Sequence, residues 1–107
     1  MFYLKKRIEI SSSHALRLSY ESKCTKIHGH NWIITVFCRR AELNEHGMII
    51  DFSEIKRIVN QLDHAYLNTI VFQPTAENIA KFVCDNILHC YRVDVQESEG
   101  NTVCYIK

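Results

Sequence analysis

Strict alternation at the amino terminus sets the frame for this chain. Phe2, Leu4, Ile8 and Ile10 fall on one side of an extended backbone, and Tyr3, Lys5, Arg7 and Glu9 fall on the other. Successive side chains of a β-strand point to opposite faces, so residues 2–10 form a strand with one apolar face and one wet face. Residues 32–42 (Trp-Ile-Ile-Thr-Val-Phe-Cys-Arg-Arg-Ala-Glu) supply a second strand, rich in β-branched and aromatic side chains. Asn44-Glu45-His46-Gly47 turns the chain after it. Residues 11–31, rich in Ser, Lys and His, read as a loop or irregular crossing.

Helical spacing takes over in the middle of the chain. Ile55, Ile58, Val59 and Leu62 recur on one face, with Ser53 as the expected N-cap. Residues 62–68 (Leu-Asp-His-Ala-Tyr-Leu-Asn) break that pattern, and Pro74-Thr75 opens a second helix. Thr75 can cap it, Glu77 places negative charge in its first turn, and Ile79, Phe82, Val83, Asn86 and Ile87 follow. Residues 92–97 alternate again, Gly100-Asn101 turns the chain, and residues 102–106 return as a last strand. The expected fold is α+β, in the order β-β-α-α-β-β, with two helices on one face of an antiparallel sheet.

At 107 residues this is expected to be one domain, 1–107, with a core that is small for its surface. Association into an oligomer would supply further burial. A formal net charge of +1 points to no nucleic-acid partner and no membrane surface. The short basic run Lys5-Lys6-Arg7 reads as a solvated strand edge. There are five cysteines, in spacings that match no disulfide framework and with no signal-peptide pattern before them, so a cytoplasmic location is expected. Cys38, Cys84, Cys90 and Cys104 sit in apolar patterns as small core residues; Cys24 lies among polar residues.

The chemistry-bearing stretch is Cys24-Thr25-Lys26-Ile27-His28-Gly29-His30. On an extended backbone His28 and His30 point to the same side, and His14 lies upstream after Ser11-Ser12-Ser13. Three neutral imidazoles with one open position suit a catalytic zinc. Spacing alone does not show that His14 reaches the same point. It also leaves two roles for Cys24, as a fourth ligand or as a thiolate beside an open site. Asp63 and His64 are sequence neighbours, which do not face each other on a helix, so they need a turn or a third group to act together. Glu97 reads as a strand-end acid, Glu77 as a helix-dipole residue, His46 as a turn residue and His89 as the end of a helix.

Taken together, the motifs resemble the 6-pyruvoyl-tetrahydropterin synthase family, and within it the bacterial branch of 6-carboxytetrahydropterin synthases of queuosine biosynthesis. The resemblance runs nearly end to end. It rests on Ser-Ser-Ser-His-Ala-Leu (11–16), Cys-x-x-x-His-Gly-His-Asn (24–31), Gly-Met-Ile-Ile-Asp-Phe (47–52), Leu-Asp-His-x-Tyr-Leu-Asn (62–68), Pro-Thr-Ala-Glu-Asn-Ile-Ala (74–80) and Val-x-Val-x-Glu-Ser (93–98). The three-residue gap between Cys24 and His28 is that of the carboxy branch; the pyruvoyl branch has a longer one.

What the resemblance implies is specific. His14, His28 and His30 would bind one zinc per subunit. Cys24 would be the catalytic base, helped by Asp63 and His64, while Glu97 would anchor the pterin ring and Thr75 would contact substrate. The fold would be the tunnelling fold (T-fold), three subunits closing a barrel and two trimers stacking into a homohexamer with shared active sites. The substrate would be 7,8-dihydroneopterin triphosphate, converted to 6-carboxy-5,6,7,8-tetrahydropterin with release of triphosphate and acetaldehyde. Ser98 and Ala76 stand where the family more often has threonine, and serine or threonine. The segments between His14 and Cys24 and after Leu67 are trimmed.

Overall fold

A computed structural model describes all residues, Met1–Lys107. β1 (Phe2–His14), β2 (His28–Arg40), α1 (Phe52–Asn60), α2 (Ala76–Asn86), β3 (Cys90–Ser98) and β4 (Asn101–Ile106) follow in the expected order, with single 3-10 turns at Lys23–Thr25 and Leu67–Thr69. The strands form one antiparallel sheet in the order β1-β2-β3-β4. α1 packs against β1 and α2 against β3 and β4, so both helices cover one face. Ile10, Trp32, Ile34, Val36, Val93 and Val95 of the sheet are buried in one cluster with Ile55, Ile58 and Val59 of α1 and Ile79, Ala80 and Val83 of α2. Full burial of an aliphatic side chain of this size stabilises by about 1.5–3 kcal/mol. No helix is long and apolar enough to cross a membrane.

The largest departure from expectation is at the hairpin end. Residues 11–14 and 28–31 are strand, not loop: the β1–β2 register runs unbroken from Phe2 opposite Arg40 to His14 opposite His28. Ladder hydrogen bonds need no apolar side chain, so Ser, His and Asn can extend a strand that hydropathy cannot trace. The burial alternation does continue, because Ser12 and His14 are buried while Ser11 is exposed. A strand of 13 residues reaches roughly 43 Å, and the hairpin stretches the molecule to 51 × 23 × 23 Å. At its other end β2 stops at Arg40, short of Ala41 and Glu42.

Smaller corrections have local causes. Asp51, not Ser53, caps α1: its Oδ1 accepts from the Ser53 N–H at 2.8 Å and from Ser53 Oγ at 2.7 Å. Leu62 lies past the end of α1 but is fully buried. Thr75 caps α2 as expected, accepting from the Asn78 N–H at 3.1 Å. Asn101 opens β4 rather than belonging to the turn, and β3 starts at Cys90. Cys38, Cys84 and Cys90 are buried, but Cys104 is exposed. It stands opposite Asp94 on the wet face, while its neighbours Val103 and Tyr105 pack toward the core. His89 lies beyond α2 at φ 67°, and its carbonyl accepts from the Arg39 N–H. The wet face carries stacked cations, with Arg92 over Phe37 at 4.6 Å and Arg39 over Tyr91 at 4.7 Å.

Candidate metal centre

The hairpin register brings the three histidines together. His14 stands opposite His28, and His30 stands opposite Ser12, two residues from His14 on the same face. Ring centroids are 4.5 Å apart for His14 and His28, 5.1 Å for His14 and His30, and 4.9 Å for His28 and His30. Trp32, next along that face, lies under His14 at 4.9 Å and His30 at 5.3 Å, and its indole N–H donates to the Ser12 carbonyl.

Two backbone carbonyls set which ring nitrogen faces inward. His14 Nδ1 is 2.7 Å from the Pro74 carbonyl, and His28 Nδ1 is 2.7 Å from the Lys26 carbonyl. A carbonyl only accepts, so each Nδ1 carries a proton, and in the neutral ring it is Nε2 that offers the lone pair. Burial pushes His14 below the ordinary imidazole range despite its Pro74 hydrogen bond. Burial does the same to His30, against the opposing pull of Glu97. Neutral rings with free lone pairs are the form a metal binds.

Glu97 completes the cluster. It stands two residues beyond Val95 and four beyond Val93 on the buried face of β3, where the β3–β4 register shifts between Gln96 and Ser98. Its Oε1 lies 2.9 Å from His30 Nε2 and 3.8 Å from His14 Nε2. One donor atom from each of His14, His28, His30 and Glu97 lies within 4.8 Å of all the others. His14 Nε2 and His30 Nε2 are buried without an aligned hydrogen-bond partner, the close Glu97 oxygen included. Buried polar nitrogens left in this state are costly, and a cation among them removes the cost. Three imidazoles and a carboxylate are a donor set suited to zinc and to other first-row divalent ions.

Cys24 borders this group without joining it. It sits in the 3-10 turn Lys23–Thr25, where Ser22 Oγ accepts from its N–H. Half-buried, it lines a cleft of about 500 Å³ together with Lys23, His28, Gly29, His30, Glu97, Ser98 and Asn101. The thiol is not among the four convergent donors.

Asp63 and His64 are placed elsewhere. They follow α1 and run along the edge of β1 away from β2. There Asp63 Oδ1 accepts from the Ser11 N–H at 2.9 Å, and the His64 N–H donates to the Ser11 carbonyl at 2.7 Å. His64 adopts φ 53°, and that turn lets the two neighbours pair, with Nδ1 at 3.0 Å from Asp63 Oδ1. The Ser11 N–H, and then the His64 ring, hold the Asp63 carboxyl below its ordinary range. The His64 ring is 83% exposed, and neither residue lines the cleft. Thr75 spends its hydroxyl as the α2 cap, and the Pro74 carbonyl beside it orients His14. His46 and His89 stand apart from the cluster, as expected.

Comparison with known proteins follows the same lines. The family model for 6-pyruvoyl tetrahydropterin synthase matches residues 3–107. A relative from Archaeoglobus fulgidus, named as a putative 6-carboxy-5,6,7,8-tetrahydropterin synthase, is 37% identical over 100 residues, covering 86% of each chain. One of the same name from Pyrococcus horikoshii is 48% identical over 67 residues, which is 59% of this chain and 42% of that protein. The matched region thus spans less than half the length of the Pyrococcus relative. The solved structure of Caenorhabditis elegans 6-pyruvoyl tetrahydropterin synthase superposes with a TM-score of 0.74 at 22% identity, covering 99% of this chain and 95% of that one. That likeness concerns the fold.

Proposed function

The chain belongs to the 6-pyruvoyl tetrahydropterin synthase family and has its fold, and we propose that it is a zinc-dependent 6-carboxytetrahydropterin synthase. Residues 1–107 act in this reading as one catalytic domain. The substrate is 7,8-dihydroneopterin triphosphate, and the products are 6-carboxy-5,6,7,8-tetrahydropterin, triphosphate and acetaldehyde. The product feeds queuosine biosynthesis in the cytoplasm. The observation that carries the reading is the convergence of three histidine side chains, two with carbonyl-fixed tautomers, beside a thiol that stays outside the donor group.

His14, His28 and His30 hold zinc through Nε2. A zinc held there would supply Lewis acidity toward the substrate side chain. Cys24, as thiolate, accepts the proton of a neighbouring C–H at Sγ. Glu97 accepts paired hydrogen bonds from the pterin amino group and ring N–H and fixes the ring, and Thr75 is a further substrate contact. Asp63 keeps His64 oriented, and His64 relays protons through its exposed ring.

In a single chain Asp63 and His64 do not reach the cleft, so their role requires a second copy. The sheet edges favour assembly. Residues 2–10 of β1 and all of β4 have an unpaired edge. Phe2, Met48 and Phe52 leave apolar surface around a cleft of about 600 Å³ beside β1, and Ile106 is exposed on β4. Closing such edges between copies gives a trimeric barrel, and two stacked trimers give a homohexamer whose sites lie between subunits.

Product mass after incubation with the triphosphate tests the reading. A carboxylated pterin plus acetaldehyde supports it. A product that keeps all three side-chain carbons assigns the pyruvoyl activity instead, and no turnover with zinc bound leaves a zinc-stabilised oligomer.

A further inference from the structure

Glu97 has two claims on one carboxylate. The proposed function gives it to the pterin ring. The structure places its Oε1 2.9 Å from His30 Nε2 and 3.8 Å from His14 Nε2, inside the group of four donors that converge within 4.8 Å. One carboxylate does not accept the paired hydrogen bonds of a pterin while it bonds a cation among those nitrogens. We propose that Glu97 is the fourth metal ligand of the resting protein, and that the pterin ring draws it out of the donor set and so opens the coordination position.

Three features support the exchange. Glu97 follows Val93 and Val95 on the helix-covered face of β3, so plain alternation aims its side chain into the cluster, at the hairpin end where the β3–β4 register shifts. Its side chain is 27% exposed and lines the cleft beside Cys24, Ser98 and Asn101, so a ligand in the cleft reaches it. The charged or polar side chains nearest its carboxylate are His14 and His30, and with those rings neutral no salt bridge holds it back from another pair of donors.

The consequence is an acid that stays closed until its substrate arrives. With Glu97 in place, three neutral imidazoles and one carboxylate make a full four-donor set, which is the pattern of closed zinc sites. The carboxylate also offsets part of the cation's charge. Withdrawal of Glu97 to the pterin restores both the open position and the charge as the substrate side chain comes within reach. Recognition of the ring and activation of the side chain are thereby one event.

Linkage makes this measurable without turnover. If pterin and metal compete for Glu97, each weakens the other's binding by the same factor. The test rests on the proposed function only for the pterin ring as ligand. The full-length protein is loaded with cobalt(II), whose visible bands report the donor set, and titrated with unsubstituted pterin, which lacks the reacting side chain. The expected result is a change in the cobalt bands as pterin binds, and about a tenfold or greater loss of cobalt affinity at saturating pterin. Glu97→Ala and Glu97→Gln, with melting curves as controls of folding, are expected to start from altered bands and to show no response to pterin. Unchanged bands in wild-type protein that binds both cobalt and pterin overturn the exchange and leave the pterin function standing. Protein that binds cobalt but no pterin, or neither, overturns both.

Discussion

At the scale of single residues, the proposed function divides the labour between nitrogens that hold the metal and a sulfur that reacts. His28→Ala is expected to abolish stoichiometric zinc and turnover together, measured by metal content after dialysis and by product formation. Cys24→Ala is expected to keep one zinc per chain and lose about 10²–10⁴-fold in kcat, the usual contribution of a positioned base; loss of zinc in that variant shows the thiol to be a ligand instead. The residues themselves could be read from the sequence, because His-x-His and a nearby cysteine are side-chain signals. Their supports could not. The carbonyls of Pro74 and Lys26 that orient His14 and His28 are backbone atoms with no residue signature. Glu97 shares the buried face of Val93 and Val95 by alternation, but that it meets the histidines rather than solvent depends on the pairing of β3 with β2, which its own segment does not encode.

Elements explain why His14 belongs to the cluster. Hydropathy ends β1 at Ile10 and starts β2 at Trp32, which leaves all three histidines in an apparent loop. The ladder runs four residues further on each strand, and that extension sets His14 opposite His28. Apolar alternation reports a strand only where one face is greasy, and here the buried face continues as Ser12 and His14. The helix caps were half visible: Thr75 acts as expected, while Asp51 takes the place of Ser53 because its carboxylate binds both the N–H and the hydroxyl of Ser53. Asp51→Ala is expected to lower unfolding free energy by about 1 kcal/mol in urea titration. The strap along β1 gives a pH signature. Asp63 is held below its ordinary range, so the stability it adds is present above about pH 3.9 and is lost as pH falls through its folded value. The melting-point gap between wild type and Asp63→Asn is expected to be widest near neutrality and to close in acid; a gap that grows on acidification contradicts the assignment.

At the scale of the whole molecule, the proposed assembly would complete what a single chain leaves open. The four-stranded sheet has two open edges, exposed aromatic side chains beside one of them, and a His64 ring whose one partner is Asp63 and which otherwise faces solvent. Order of elements and helix placement followed from sequence periodicity, but the separation of Asp63–His64 from Cys24 is a property of tertiary structure that motif order does not encode. A shared site predicts complementation. Cys24→Ala and His64→Ala chains, each inactive alone, are expected to regain activity when unfolded and reassembled together, with about a quarter of sites complete on random mixing. Persistent inactivity of a properly assembled mixture places both residues in the service of one chain.

Zinc-edge X-ray absorption on the zinc-loaded, full-length protein tests the metal centre most directly. The expected spectrum has nitrogen and oxygen scatterers alone at about 2.0–2.1 Å, with imidazole outer shells from His14, His28 and His30. A sulfur scatterer at about 2.3 Å, which puts Cys24 on the metal, or a zinc signal unchanged by His28→Ala, contradicts it.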